Sequence, residues 1–372
     1  MYYLGLDVGS SSVKAAIVDA KSGKSILSVH EPKNEMGINS LNNDWAEQDP
    51  NMWWKYTCDA IKRVCKESNV DSKKIGSIGI SYQMHGLVVV DKNGSPLRDS
   101  IIWCDSRAVN IGNEAFEKLG QEKCMSHLLN SPGNFTASKL KWVKDNEPNI
   151  YEKIYKYMLP GDFIAYKLTG EINTTRNGLS EGIIWDYKNN STADWLLDHY
   201  GIDSNLTPDL VDNFSNQGTT NLKSSNETGL NVGVPITYRA GDQPNNALAL
   251  NVFDNGEVAA SGGTSGVIYS ITNNLESNEP SRINHFAHVN YNNNNKSIGK
   301  LLCINGAGIQ YRWLRNHSTH ESYEKMNEVA ANIPVGSEGV SVIPFGNGSE
   351  RMLDNKNIGT VSYTHLTLPT KA

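Results

Sequence analysis

Leu4-Gly5-Leu6-Asp7-Val8-Gly9-Ser10-Ser11-Ser12-Val13-Lys14, closed by the apolar run Ala15-Ala16-Ile17-Val18, reads as strand, tight turn, strand. The same pattern returns far downstream in Val258-Ala259-Ala260-Ser261-Gly262-Gly263-Thr264-Ser265-Gly266-Val267-Ile268-Tyr269. Each has a glycine–hydroxyl turn whose backbone N–H groups and hydroxyls suit phosphate oxygens. One such stretch is most simply an ordinary β-hairpin. Two of them, one opening each half, point to a duplicated architecture that holds the phosphates of a nucleotide from both sides.

Working outward from the first turn, residues 2–8, 13–19 and 25–30 read as a three-stranded meander. Residues 52–69 then carry Trp54, Cys58, Ile61 and Cys65 on one face, the pattern of an amphipathic helix. Strands are expected at 75–81 and 87–91. Three strands, a helix and a further strand predict an α/β protein of the ribonuclease-H-like class, since a Rossmann fold alternates from the outset. Later helices are expected at 138–146 and 162–168, a polar loop at 213–231, and an exposed hairpin tip at 291–296. A domain boundary falls between 250 and 255, ahead of the second glycine hairpin. Gly306-Ala307-Gly308 opens a helix with Ile309, Trp313 and Leu314.

Composition narrows the function classes. The chain has 372 residues and a net charge of −6, which offers no basic field for nucleic acid or an anionic membrane. No apolar run approaches the roughly 18 residues that span a bilayer, and the N-terminus enters a strand without a signal peptide. Cys58, Cys65, Cys104, Cys124 and Cys303 are scattered without a CxxC pair and read as buried thiols in a reducing cytoplasm. Gly23-Lys24-Ser25 resembles the end of a P-loop, but the upstream glycine would fall at Val18. It is read as a hairpin turn.

Several residues carry two readings. Asp7 beside the hydroxyl turn is either a turn-capping aspartate or the carboxylate that lets Mg²⁺ bridge to a phosphate. Asp242, in Tyr238-Arg239-Ala240-Gly241-Asp242-Gln243-Pro244, opens a helix as an N-cap or serves as the general base for a hydroxyl attacking a γ-phosphate. Gln83-Met84-His85-Gly86 leaves a strand, where a histidine is more often structural than catalytic. Trp45-Ala46-Glu47-Gln48-Asp49-Pro50 and Trp103-Cys104-Asp105-Ser106-Arg107 set polar groups beside aromatic rings, a mixture that suits a polyol and equally suits core and capping.

Together these motifs resemble the FGGY carbohydrate kinases, and within them the xylulokinase branch, from residue 2 to about residue 359. The Met84-His85-Gly86 step is the most specific, because glycerol kinases carry Arg-Glu there. The resemblance implies an actin-like ATPase (ribonuclease-H-like) fold of two lobes, with residues 1–250 binding sugar and 251–360 supplying part of an ATP-binding lobe. It implies phosphorylation of a ketopentose, D-xylulose foremost, with MgATP; gluconate, ribulose and other polyols are the family alternatives, and a non-catalytic sugar-binding remnant is the rival from another class. Nucleic acid and membrane are not implied partners; a homodimer is compatible.

By family position Asp242 accepts the proton, and Met84, His85 and Gln243 line the sugar site with Trp103 and Asp105. Asn134 falls where glycerol kinases place a sugar-contacting aromatic. Gly9, Ser10, Ser11, Ser12 and Lys14 would face the γ-phosphate, Gly263, Thr264, Gly306 and Gln310 would hold the nucleotide, and Asp7 would organise Mg²⁺. The resemblance stops near Gly359 or Thr360, short of the family's adenosine-binding segment. The expectation is therefore a truncated product, poorly active, ending in a foreign tail at 361–372.

Overall fold

In the computed structural model, residues 1–263, 266–304, 307–318, 322–343 and 361–363 are described. β1 (Tyr2–Val8), β2 (Val13–Asp19) and β3 (Ser25–Glu31) form the expected antiparallel meander, with Gly23 (φ 69°) in the turn between the last two. α1 (Pro50–Ser68) follows, and β4 (Ile75–Tyr82) returns parallel to β1. Strand alternation sends Leu4, Leu6, Val8, Val13, Ala15 and Ile17 to the buried side. There they join Trp53, Ile61 and Val64 of α1 in one core. Each fully buried large side chain of that stripe contributes roughly 1.5–3 kcal/mol. The helix begins where it does because Asp49 caps it, accepting from Asn51 N at 2.8 Å, with Pro50 in the first turn. Asn69, left-handed at φ 56°, ends it.

The strand beside β4 comes from far along the chain. Val88–Val90 leaves the sheet and pairs with Lys156–Met158, whereas β5 (Ile236–Gly241) lies parallel to β4. The sheet order is β5-β4-β1-β2-β3. Val88–Val90 is buried throughout, so periodicity says nothing about its partner. β5 is disguised by Arg239, a fully buried cation that pairs with Asp162 at 2.9 Å.

α2 (Thr136–Asn146) and α3 (Pro160–Thr169) match expectation, while α4 (Arg176–Glu181) is an addition. The stretch 213–231 is not all loop: Leu222–Thr228 is helical, and Asn221 and Ser224 cap it reciprocally. Polar residues there serve as caps, which hides the helix from a composition-based reading. At 291–296 the expected exposed turn forms, with Asn292 N donating to Asn295 O and Asn292, Asn293 and Asn294 exposed, while Tyr291 at its base is buried against Tyr187.

α5 (Asp242–Ala249) leads into a four-stranded antiparallel sheet: β6 (Val258–Gly262), β7 (Gly266–Thr272), β8 (Asn284–Ala287) and β9 (Ile298–Ile304), ordered β6-β7-β9-β8. α6 (Ala307–His317) follows. Residues 250–255 mark a change of sheet and not a break in the core. Tyr269, Ile271, Phe286 and Ile298 share a buried cluster with Phe135, Leu140, Leu179 and Trp185. Asn130, Asn177 and Asn213 donate their amides to His285 O, His288 O and Val289 O at 2.6, 2.7 and 2.9 Å.

Among the thiols only Cys58 and Cys124 are buried; Cys65 and Cys303 are half-buried and Cys104 is exposed. Val361–Tyr363, at the start of the stretch read as a foreign tail, pairs antiparallel with Ser341–Ile343 as a short strand; residues 364–372 lie outside the described residues. Among the described residues no helix is long and apolar enough to cross a membrane.

Candidate active site

β1, β4 and β5 run parallel and end side by side, with Asp7 opposite Ser81 and Ser81 opposite Ala240. The carboxyl ends of parallel strands are where loops converge on ligands in open α/β sheets. Strands spaced ~4.8 Å apart put the ends of β1 and β5 about 10 Å from each other. The loops leaving these three ends carry Asp7 with the Ser10 turn, Met84-His85, and Asp242-Gln243. A cavity of about 850 Å³ runs from Asp7, Lys14 and Ser81 along the sheet face over Gly5, Ala16 and Gly79 towards Tyr238.

The Ser10 turn is held from outside itself. Gln48 Nε2 donates to Ser10 O at 2.7 Å, Met36 N donates to Ser11 O at 2.8 Å, and Trp53 Nε1 fixes Gln48 by donating to its Oε1 at 3.1 Å. Gly9 departs from its expected role, since its N–H turns inward to Ser12 O at 3.1 Å and closes the turn. Trp103, half-exposed, donates to Ser10 Oγ at 3.4 Å. Lys14 Nζ stands 3.0 Å from Asp7 Oδ2. The Trp45–Pro50 segment therefore supports the site and does not line it. Ala46 N donates to Asp105 Oδ2, Glu47 pairs with Arg98 and Arg107, Gln48 grips the turn and Asp49 caps α1.

The β4 loop is equally constrained. His85 adopts φ 63°, a left-handed conformation unusual for a side-chain-bearing residue. Its Nδ1 lies 2.9 Å from Glu181 O, a pure acceptor, so Nδ1 carries the proton. The ring meets Phe135 edge-on at 4.8 Å and Phe286 at 5.1 Å. Lys139 Nζ donates to His85 O at 2.8 Å and Ile102 O at 3.0 Å, tying this loop to the one bearing Trp103. Burial pushes the Lys139 ammonium down to about 8. Two glycines allow close approach. A Cβ on Gly86 would strike Pro160 Cγ at 2.6 Å, and one on Gly241 would strike Met84 Cγ at 2.4 Å and Glu181 Oε2 at 2.5 Å.

Asp242 is the first residue of α5; the N-cap position expected for it belongs to Gly241. Burial first, and the Asp7 charge second, raise its carboxyl to about 6, against hydrogen bonds from Gln243 that favour the charged form. A carboxylate tuned this way has the pKa a general base needs near neutral pH.

Asp105 and Asn134 depart from the sugar-contacting role expected of them. The Asp105 carboxylate is buried and engaged by Arg107 Nη2 at 2.6 Å and Ala46 N at 2.6 Å. Asn134 bonds Ala108 N and Asp105 O through its amide, and the next residue, Phe135, supplies the aromatic against His85. Gly308 N donates to Gly263 O at 3.0 Å, joining the second glycine turn to the start of α6, which carries Gln310. Thr264 and Gly306 lie outside the described residues. No cluster of three His, Cys, Asp or Glu side chains occurs among the described residues. Asp7 is a lone carboxylate, which fits Mg²⁺ held mainly by phosphates and water. Reading the sequence missed Lys139, Glu181 and Phe286; the one hint was a lysine set among the apolar Ala137, Leu140 and Val143 of α2.

A xylulose kinase of Staphylococcus xylosus is 29% identical over 346 residues, spanning 92% of this chain and 70% of that protein. The xylulose kinase structure from Lactobacillus acidophilus matches with a TM-score of 0.86 at 22% identity, over 98% of this chain and 72% of that one. Plasmodium falciparum glycerol kinase, solved with ADP, matches with a TM-score of 0.86 at 20% identity, over 100% and 74%. These neighbours share the actin-like ATPase fold expected from the first turn. The sequence model for the FGGY family of carbohydrate kinases, N-terminal domain, matches residues 2–249. Because that match takes in all three strands whose ends carry Asp7, His85 and Asp242, the chain belongs to the FGGY family of carbohydrate kinases and is a sugar kinase.

Proposed function

We propose that the chain transfers the γ-phosphoryl group of ATP to the terminal hydroxyl of a ketopentose, converting D-xylulose to D-xylulose 5-phosphate. The observation that carries this reading is the Asp242 carboxyl, raised to about 6 and set at the end of β5, where the preceding Gly241 packs against Met84. The sugar hydroxyl donates to the Asp242 carboxylate. As its oxygen bonds to the γ-phosphorus the proton passes to Asp242, and the bridging β–γ bond breaks to release ADP. Met84 offers an apolar surface to the sugar's C–H face, His85 and Gln243 offer polar atoms, and Trp103 offers a half-exposed ring. Ser10, Ser11, Ser12 and Lys14 face the γ-phosphate, while Gly263, Thr264, Gly306 and Gln310 hold the nucleotide from the other lobe. Asp7 would hold Mg²⁺, which neutralises phosphate charge when bound.

Met84-His85, in place of the Arg-Glu of glycerol kinases, supports a ketopentose over glycerol. The test is ADP release measured across a sugar panel with wild type and Asp242→Asn. D-xylulose is expected to be preferred, with turnover rising as pH increases through about 6. Asp242→Asn is expected to lower kcat by about 10²–10⁴-fold while sugar binding stays within a few-fold. Preference for another sugar overturns the substrate; undiminished turnover overturns the base.

A further inference from the structure

Glu181, the last residue of α4, touches both loops that would hold the sugar. Its carbonyl oxygen accepts from His85 Nδ1 at 2.9 Å. Its Oε2 packs where a Cβ on Gly241 would stand 2.5 Å away, beside Met84 and next to Asp242. The side chain is 2% exposed, and Oε1 is buried without a hydrogen-bond partner. Tyr82, Tyr269, Asp162, Asp242 and the His85 imidazole are the titratable groups around it, and the imidazole donates to the Glu181 carbonyl and not to its carboxyl. The nearby cations are committed elsewhere, Arg239 to Asp162 and Lys139 to two carbonyls. An ionised carboxylate there would be buried, without a cation among the groups that act on it and close to two other carboxylates, a combination that favours the neutral acid. Burial holds its carboxyl well above the usual range and Asp162 and Asp242 push it the same way, against the Tyr82 hydroxyl and the His85 backbone N–H, which favour the charged form.

We propose that Glu181 is a positioning residue that, as a protonated acid, fixes the Gly241–Asp242 corner against the Met84–His85 loop and so sets the spacing between base and sugar. The proposal rests on reading Asp242 as the base. A neutral acid fills this space without adding a second negative charge behind Asp242.

The experiment measures kcat and KM for D-xylulose from pH 5 to 8 in wild type, Glu181→Gln, Glu181→Asp and Asp242→Asn, with circular dichroism as a check of folding. Glu181→Gln keeps shape and neutrality, so kcat is expected within about threefold of wild type, with an unmoved acidic limb. Glu181→Asp withdraws the carboxyl from Gly241 by one methylene, and a fall of about tenfold or more in kcat/KM is expected from misplacement. Wild-type kinetics in Glu181→Asp overturn the positioning role. An acidic limb displaced downward by a full unit in Glu181→Gln overturns the protonated state. Should Glu181→Asp not fold, Glu181→Gln decides: wild-type kcat and limb support the proposal, and loss beyond tenfold overturns it. Turnover retained in Asp242→Asn counts against the base alone, because the two Glu181 variants are judged against wild type.

Discussion

Around Ser10 the glycine turn is gripped by Gln48, Met36 and Trp103, each reaching it from another part of the chain. Around Gly263 the Gly308 N–H donates to Gly263 O, and Ile304 of β9 pairs with Gly266. The helices behind them differ. α1 buries Trp53, Trp54 and Ile61 against its sheet, whereas Trp313 and Leu314 of α6 are 57% and 48% exposed. One local pattern thus occurs in two settings, one backed by a buried helix and one followed by a helix with exposed apolar residues. A turn's shape comes from its glycines and hydroxyls, but its fixity comes from residues remote in sequence, and only a fixed turn is preorganised for phosphate.

The sharpest way to test the comparison is to remove the outside grip on the first turn. Gln48→Leu removes the donors to Ser10 O and Gly37 O and the acceptor for Trp53 Nε1. Buried polar groups left unpaired cost about 1–3 kcal/mol each, so a loss of about 2–5 kcal/mol in urea unfolding is expected. KM for ATP should rise by about tenfold through misplacement of the turn. An unchanged KM would mean the turn keeps its shape unaided.

Lys139→Met tests the neighbouring clamp. Loss of the bonds to His85 O and Ile102 O should raise the sugar KM by about tenfold, with the ATP KM little changed. The pH dependence has a defined sign. The folded-state pKa of Lys139, about 8, lies below its unfolded value of about 10.4. Burial therefore penalises the charged form below pH 8, and the penalty disappears as pH rises towards 10. Wild type should gain up to about 3 kcal/mol across that window relative to Lys139→Met. Parallel stability curves would refute the burial account.

The smallest expected effect belongs to Asp242→Asn, read now as stability. The folded pKa of about 6 exceeds the unfolded value of about 3.9, so the folded state holds the proton more tightly. Wild type is then penalised as pH rises from 4 to 6, and the penalty is complete above 6. The asparagine variant should be more stable by about 1–3 kcal/mol at pH 7.5 and gain nothing at pH 4. A variant no more stable than wild type at pH 7.5 would place no strain at Asp242.

Much of the edge where the three parallel strands end was legible in sequence because it is built from local signals. The β1 alternation, the α1 stripe and the residues Asp7, Met84, His85 and Asp242 all belong to short segments with their own turn or capping chemistry. What local signals misassigned has a common cause. Asp105, expected at the sugar, is drawn away by Arg107, whose guanidinium lies 3.8 Å over Trp45. The partners of Val88–Val90 and Ile236–Gly241 were not legible, because a buried strand's partner is set by long-range pairing and not by its own periodicity.

The sequence by itself determined the fold class, the family resemblance and the residues at the three strand ends, since turn geometry and strand alternation depend on neighbours a few positions away. Only the tertiary structure decided which groups hold those residues in place. Gln48 on the Ser10 turn, Lys139 on the His85 loop and Glu181 behind Gly241 act across large sequence separations. They matter because burial removes water as an alternative partner, and no local pattern encodes which groups will be buried together.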